Sequence, residues 1–149
     1  MTTRYGLEIR AATGADAPGL SELLRTAGCG IAPRDLAARL DAAREAAGTV
    51  LVAVVWGPPS GIIALHRYPT LMSDRPTAQI TLLLVGSEDR RKGIGRLLVK
   101  AAAQAARNAG CGALELTTAS ADPSLLAFCK ASGFTEAGAR LERSLRKVA

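Results

Sequence analysis

The sequence predicts a single mixed α/β domain, and three observations carry that prediction. The chain has 149 residues, one domain's worth of length, and 48% of them are apolar, enough to fill one core without disulfides or a metal. Short runs rich in Val, Ile and Leu alternate with longer segments whose apolar residues recur at helical spacing. Two of the short runs flank one helical segment, and a crossover of that kind makes its flanking strands parallel. The expected order is β-α-α-β-β-β-α-β-α-β in a mixed sheet spanning residues 1–149.

Leu7 to Arg10 reads as the first strand, and Thr13 with Asp16 three positions on is a capping pair for the helix that buries Leu20, Leu23 and Leu24. Gly28 and Gly30 break the chain, and Pro33 opens a second helix with Leu36, Leu40 and Ala43 on its inner stripe. Thr49 to Trp56 reads as a buried strand. The Gly57-Pro58-Pro59-Ser60-Gly61 cluster then forces a turn, so Ile62 to Tyr68 returns antiparallel to it. After a loop from Pro69 to Thr77, Gln79 to Val85 is apolar enough for a central strand.

Ile94, Leu97, Leu98, Ala101, Ala102 and Ala105 share one face of the next helix, which Asn108-Ala109-Gly110 stops. Ala113 to Thr118 is the following strand. Asp122 before Pro123 is a helix-start pair, because an Asp can accept bonds from orphan amides while Pro fits the first helical position. That helix runs to about Ser132 and Gly133 ends it, leaving Gly138 to Lys147 for a last strand.

Composition excludes several function classes. Only 3% of residues are aromatic, too few for stacking platforms that hold single-stranded nucleic acid. Cys29, Cys111 and Cys129 are an odd number in unrelated settings, and one His completes no zinc spacing, so a reducing compartment and no structural metal are expected. The N-terminal residues lack a signal peptide's apolar core, and Val50 to Trp56 falls far short of the roughly 20 residues that span a bilayer. The expected location is the cytoplasm.

The formal charge of +6 is unevenly placed. Residues 1–77 hold eight basic and seven acidic residues, whereas residues 78–149 hold eleven and six. The longest basic run, Arg90-Arg91-Lys92, is followed at once by Gly93-Ile94-Gly95-Arg96 and a helical pattern. A strand thus leads into a loop that delivers backbone amides at a helix N-terminus, where they have no intrahelical partner and the helix dipole is positive. Gly93 and Gly95 lack a Cβ that would hold an anion off those amides. Pyrophosphate is the natural guest, more so than the diffuse backbone of a nucleic acid. A P-loop would need a Lys-Ser/Thr pair that is missing, and a dinucleotide-binding turn would need a third glycine where Leu98 stands.

With these residues the sequence resembles the GNAT superfamily of N-acetyltransferases, whose motif is Arg/Gln-x-x-Gly-x-Gly/Ala; Arg90-Arg91-Lys92-Gly93-Ile94-Gly95 matches it in full. The flanking Leu83-Leu84-Val85, the Leu114-Glu115-Leu116 strand and the stretch from Leu126 to Phe134, similar to the family's Phe-Tyr-x-x-x-Gly-Phe signature, extend the match over about residues 78 to 138. Ile9 to Thr13, then Asp16, is similar to the family's usual start.

The resemblance implies a fold of the acyl-CoA N-acyltransferase type, with acetyl-CoA as co-substrate between splayed central strands. The pyrophosphate would lie on the amides of Lys92, Gly93, Ile94, Gly95 and Arg96, with Arg90 and Arg91 at the rim. The pantetheine arm would pair along Leu83, Leu84 and Val85. Asp122 stands where the family often has an Asn that bonds this arm, and it can equally be a plain helix cap. Phe128 and Phe134 are expected in the core. A homodimer is a further implication.

Acetyl transfer to an amine needs a neutral amine, an oxyanion donor and a proton for the departing thiolate. A main-chain amide near Leu84 or Val85 can be the oxyanion donor. The family's usual acid is the Tyr of its signature, and here that position is Cys129. A thiol's reference pKa of about 8.5 lies nearer neutrality than a phenol's of about 10, so Cys129 is a candidate general acid; a core residue or a covalent acetyl carrier are its other readings. Many relatives place a Glu before the cofactor loop where this chain has Ala78-Gln79-Ile80-Thr81-Leu82. His66 is then a candidate base, beside Tyr68, with a structural His or a water relay through Asp74 or Gln79 as alternatives. The sequence names no acceptor beyond an amine of a small molecule or peptide. A non-catalytic acyl-CoA-binding or sensing module is the rival reading.

Overall fold

The structure is a computed structural model that describes residues 2–4, 6–89, 93–117 and 123–146. Residues 1–116 form one compact unit and residues 117–149 a second. The first unit is a six-stranded sheet whose strands lie in chain order: β1 (Thr2–Arg4), β2 (Leu7–Ala11), β3 (Gly48–Val54), β4 (Gly61–Tyr68), β5 (Thr77–Val85) and β6 (Ala113–Leu116). Neighbours are antiparallel from β1 to β5, and β5 with β6 is the parallel pair that the crossover predicts. The helices are α1 (Ala17–Thr26), α2 (Pro33–Glu45) and α3 (Ile94–Asn108), with α4 (Pro123–Ala131) in the second unit.

Residues opposite one another in a ladder share a face, so register assigns the two sides of the sheet. One face carries Val50, Val52 and Ile62, which pack with Leu20, Leu23 and Leu24 of α1 and Leu36 and Leu40 of α2. The other carries Ala53, Ile63 and Leu65 beneath α3, whose Leu98 is fully buried. Gly61 is the point of closest approach on that side. A Cβ there would lie 3.0 Å from a Leu98 methyl, 3.2 Å from Ile94 Cγ2 and 3.2 Å from the Leu84 carbonyl oxygen.

The entry to α1 is tied to β2 by charge. Thr13 caps a single 3-10 turn, Gly14–Asp16, and Asp16 accepts the Thr13 N–H at 2.8 Å. Both terminal nitrogens of Arg10 donate to the same carboxylate at 2.8 Å. The Arg10 bonds hold the Asp16 carboxyl below its ordinary range despite its burial.

Three elements depart from expectation. Thr2–Arg4 adds an edge strand before Leu7, turned back through Gly6 at φ +79°. β3 stops at Val54, so Trp56, expected inside a buried strand, is 84% exposed in the turn: neither ladder of β3 extends past Val54. Residues 138–146 form no strand, and Leu141 and Leu145 are exposed. Glu142-Arg143-Ser144 between them interrupts the alternation that a half-buried strand requires.

Candidate functional site

The site is built from a defect in β5. Ala64 pairs with Leu82 but the next residue, Leu65, pairs with Ile80, so Thr81 is an extra residue bulged out of the ladder. The bulge reverses the alternation of β5. Ile80 is buried on the α3 side with Leu65, whereas Leu82 and Leu84 pack against the α1–α2 core. The parallel ladder with β6 also ends here, its last rung being Ile80 with Leu116. Among the described residues, Leu83, Leu84 and Val85 of β5 lie beyond the last rung with β6, so no described rung takes up the main-chain groups on that edge.

Those three residues lead directly to α3. Gly86 donates its N–H to the Ser60 carbonyl at 2.9 Å, which pins the loop to the β3–β4 turn, and a short 3-10 turn, Ser87–Asp89, follows. α3 begins at Gly93, which sits at φ +80° and ψ 8°, a left-handed conformation that side chains rarely adopt. No side chain caps this end, and the first helical bond runs from Leu97 N–H to the Gly93 carbonyl at 3.1 Å. The amides of Ile94, Gly95 and Arg96 thus have no intrahelical partner, and the space where a Gly93 Cβ would point is open. A donor set of main-chain amides at a positive helix end, beneath open space, fits a pyrophosphate. Among the residues singled out from sequence, Leu84 of the β5 end and Ile94 of the α3 start lie near one another, since the Leu84 carbonyl oxygen and Ile94 Cγ2 would each lie 3.2 Å from a Cβ on Gly61. Arg90, Arg91, Lys92 and Asp122 lie outside the described residues.

A second cluster lies on the α1–α2 face, just before the ladder ends. His66 on β4 pairs with Gln79 on β5, and Gln79 pairs with Glu115 on β6, giving one row across three strands. Tyr68, two residues along β4 from His66, stacks on its ring with centroids 6.4 Å apart and planes at 17°. The Tyr68 hydroxyl donates to Glu115 Oε1. That bond, with lesser help from burial and the carboxylate's charge, pushes the phenol above its ordinary range. His66 and Glu115 are exposed and Gln79 is half-buried. The Tyr68–Glu115 pair was not singled out from sequence; the alternation of Leu114-Glu115-Leu116 was its one local signal.

Cys129 belongs to the second unit, where it is 6% exposed on α4 and its carbonyl accepts the N–H groups of Ser132 and Phe134, both at 3.0 Å. Burial pushes its thiol above the usual range, so the thiol stays protonated at neutral pH. Cys29, Cys111 and Cys129 are free cysteines. Among the described residues no three His, Cys, Asp or Glu side chains are grouped closely enough to hold a metal ion, and no helix is long and apolar enough to cross a membrane.

Comparisons with known proteins agree with the fold. A chain from Agrobacterium tumefaciens strain C58, described as an acetyltransferase, superposes with a TM-score of 0.84 at 28% identity, covering 92% of this chain and 99% of that one. Glucosamine-6-phosphate N-acetyltransferase from Arabidopsis thaliana shares the fold with a TM-score of 0.81 at 15% identity over 94% and 99% of the two chains. So does an aminoglycoside acetyltransferase from an uncultured soil metagenomic sample, in complex with sisomicin, with a TM-score of 0.78 at 20% identity over 95% and 97%. No curated protein sequence matches significantly. The sequence profile of the acetyltransferase (GNAT) family matches residues 20–134, and the chain belongs to that family.

Proposed function

We propose that the chain, acting as one domain, transfers the acetyl group of acetyl-CoA to an amine by direct attack in a ternary complex. The observation that carries this reading is the junction of the β5 edge after the Thr81 bulge with the uncapped, glycine-led start of α3. Acetyl-CoA supplies an activated thioester when bound. The amides of Ile94, Gly95 and Arg96 would hold its pyrophosphate, with Arg90, Arg91 and Lys92 adding charge, and the edge of Leu83, Leu84 and Val85 would pair with the pantetheine arm, aided by Asp122. A main-chain N–H at Leu84 or Val85 then faces the carbonyl oxygen as charge develops there.

The amine nitrogen forms a C–N bond as the C–S bond breaks. His66 is assigned to receive the proton shed by the nitrogen, and Cys129 to give one to the departing sulfur. An imidazole nitrogen can accept a proton in the first role, and the second needs a group that is protonated at neutral pH, as the buried thiol is. The three free cysteines support work in a reducing compartment such as the cytoplasm. A homodimer follows from the family resemblance and is open to sedimentation measurement.

The burial of Cys129 and the presence of Gln79 in the β5 row also favour a second reading, an acyl-CoA-binding module without catalysis. Thiol release from acetyl-CoA over a panel of amines, with the product mass recorded, separates the two. Release matched by acetylated amine supports the transferase. Binding of CoA without release on any amine supports the module.

A further inference from the structure

We propose that Glu115 is the anchor for a cationic acceptor, so that the enzyme selects amines that arrive as ammonium ions; this rests on the acetyltransferase reading above. Glu115 stands opposite Gln79, one rung before the β5–β6 ladder opens at Ile80 and Leu116. One rung is about 3.3 Å along a strand, so the carboxylate stands at the vertex from which the proposed acetyl-CoA edge diverges. Its face is that of α1 and α2, while α3 covers the other.

The carboxylate is held but not used up. Tyr68 donates to Oε1, and Oε2 has no protein hydrogen-bond partner among the described residues. The phenol ring lies nearly parallel to the His66 ring, and its bond to Glu115 Oε1 orients the carboxylate so that Oε2 can accept from an N–H donor. On the two strands beside Glu115 the titratable groups of this face are few. β4 supplies His66 and Tyr68, and β5 supplies only neutral Thr77 and Gln79 on this face. The β4–β5 loop carries Asp74 and Arg75, and the stem of Arg75 lies against Gly112. No salt bridge to Glu115 occurs among the described residues. A carboxylate set in one row with His66 and Gln79 and bonded to Tyr68, within the half of the chain that carries the basic excess, is a local cation site. Tyr68 acts through Glu115 and is a positioning residue.

The test measures kcat and KM with size-matched cationic and neutral amines, benzylamine against aniline among them, together with the Kd for acetyl-CoA. Wild type is expected to favour the cation, and Glu115→Gln to raise its KM by about ten-fold or more with aniline and the acetyl-CoA Kd changed less than about two-fold. The deficit narrows at alkaline pH, where the amine is neutral. Tyr68→Phe is expected to raise KM for the cation while kcat and the aniline KM change less than about two-fold, because the carboxylate loses the bond that orients it. A wild-type preference for neutral amines, or a cation preference that survives Glu115→Gln, would overturn the proposal. Absence of turnover on every amine, with acetyl-CoA bound, would instead overturn the transferase reading on which it rests.

Discussion

Gly61 lies beneath Ile94, where the end of β5 and the first turn of α3 both approach the same residue of β4. The junction is tight: an added methyl group would meet the Leu84 carbonyl oxygen and two α3 side chains at 3.0 to 3.2 Å. The Leu84 carbonyl is backbone and gives way least, so the Ile94 and Leu98 side chains must yield by a few tenths of an ångström, which disturbs the seating of α3.

Gly61→Val therefore costs about 1–3 kcal/mol of stability by overpacking. It also displaces the start of α3, and the acetyl-CoA Kd rises along with it. Denaturant unfolding and calorimetric titration read the two effects on the same sample.

Gly93 separates strain from crowding, because its would-be Cβ meets nothing while its φ of +80° is left-handed. Gly93→Ala is expected to lose about 1–2 kcal/mol through that backbone term alone. If α3 relaxes to relieve it, the amides turn and acetyl-CoA binds at least about five-fold more weakly, a change of about 1 kcal/mol by calorimetry.

The Arg10–Asp16 pair predicts a pH dependence of stability. The folded-state pKa of Asp16 is depressed, so its contribution is present above the unfolded carboxyl value of about 4 and is lost as pH falls through the folded value. Asp16→Asn is expected to cost about 2 kcal/mol at neutral pH, and the difference from wild type shrinks in acid. Unfolding curves at neutral and acid pH check both the size and the sign.

Cys129 gives a kinetic prediction. Cys129→Ala is expected to lower kcat about ten-fold, below the usual span for general acids because a thiolate leaves readily, with the acetyl-CoA Kd unchanged. A kcat and pH profile equal to wild type would return Cys129 to the core of α4.

What was legible in the sequence was what is encoded locally. The β3–β4 hairpin follows from Gly57 to Gly61, and the start of α3 follows from Gly93 and Gly95 after a basic run. The Thr81 bulge was not legible, because Thr81 is extra only relative to the residues of β4 that it fails to pair with. Without the bulge, simple alternation would put Leu82 on the α3 side with Ile80. The Tyr68–Glu115 bond joins residues 47 apart, and only the parallel register of β5 with β6 brings them within reach. The expected strand from Gly138 does not form among the described residues, because Glu142-Arg143-Ser144 breaks the alternation that would give it one apolar face.

Hydrogen–deuterium exchange with and without acetyl-CoA reads the proposed contacts amide by amide. Binding is expected to slow exchange at the amides of Leu83, Leu84 and Val85 and at those of Ile94, Gly95 and Arg96, with β1 and β2 unaffected. Saturating acetyl-CoA that leaves both segments unprotected, or protects only others, would contradict those contacts.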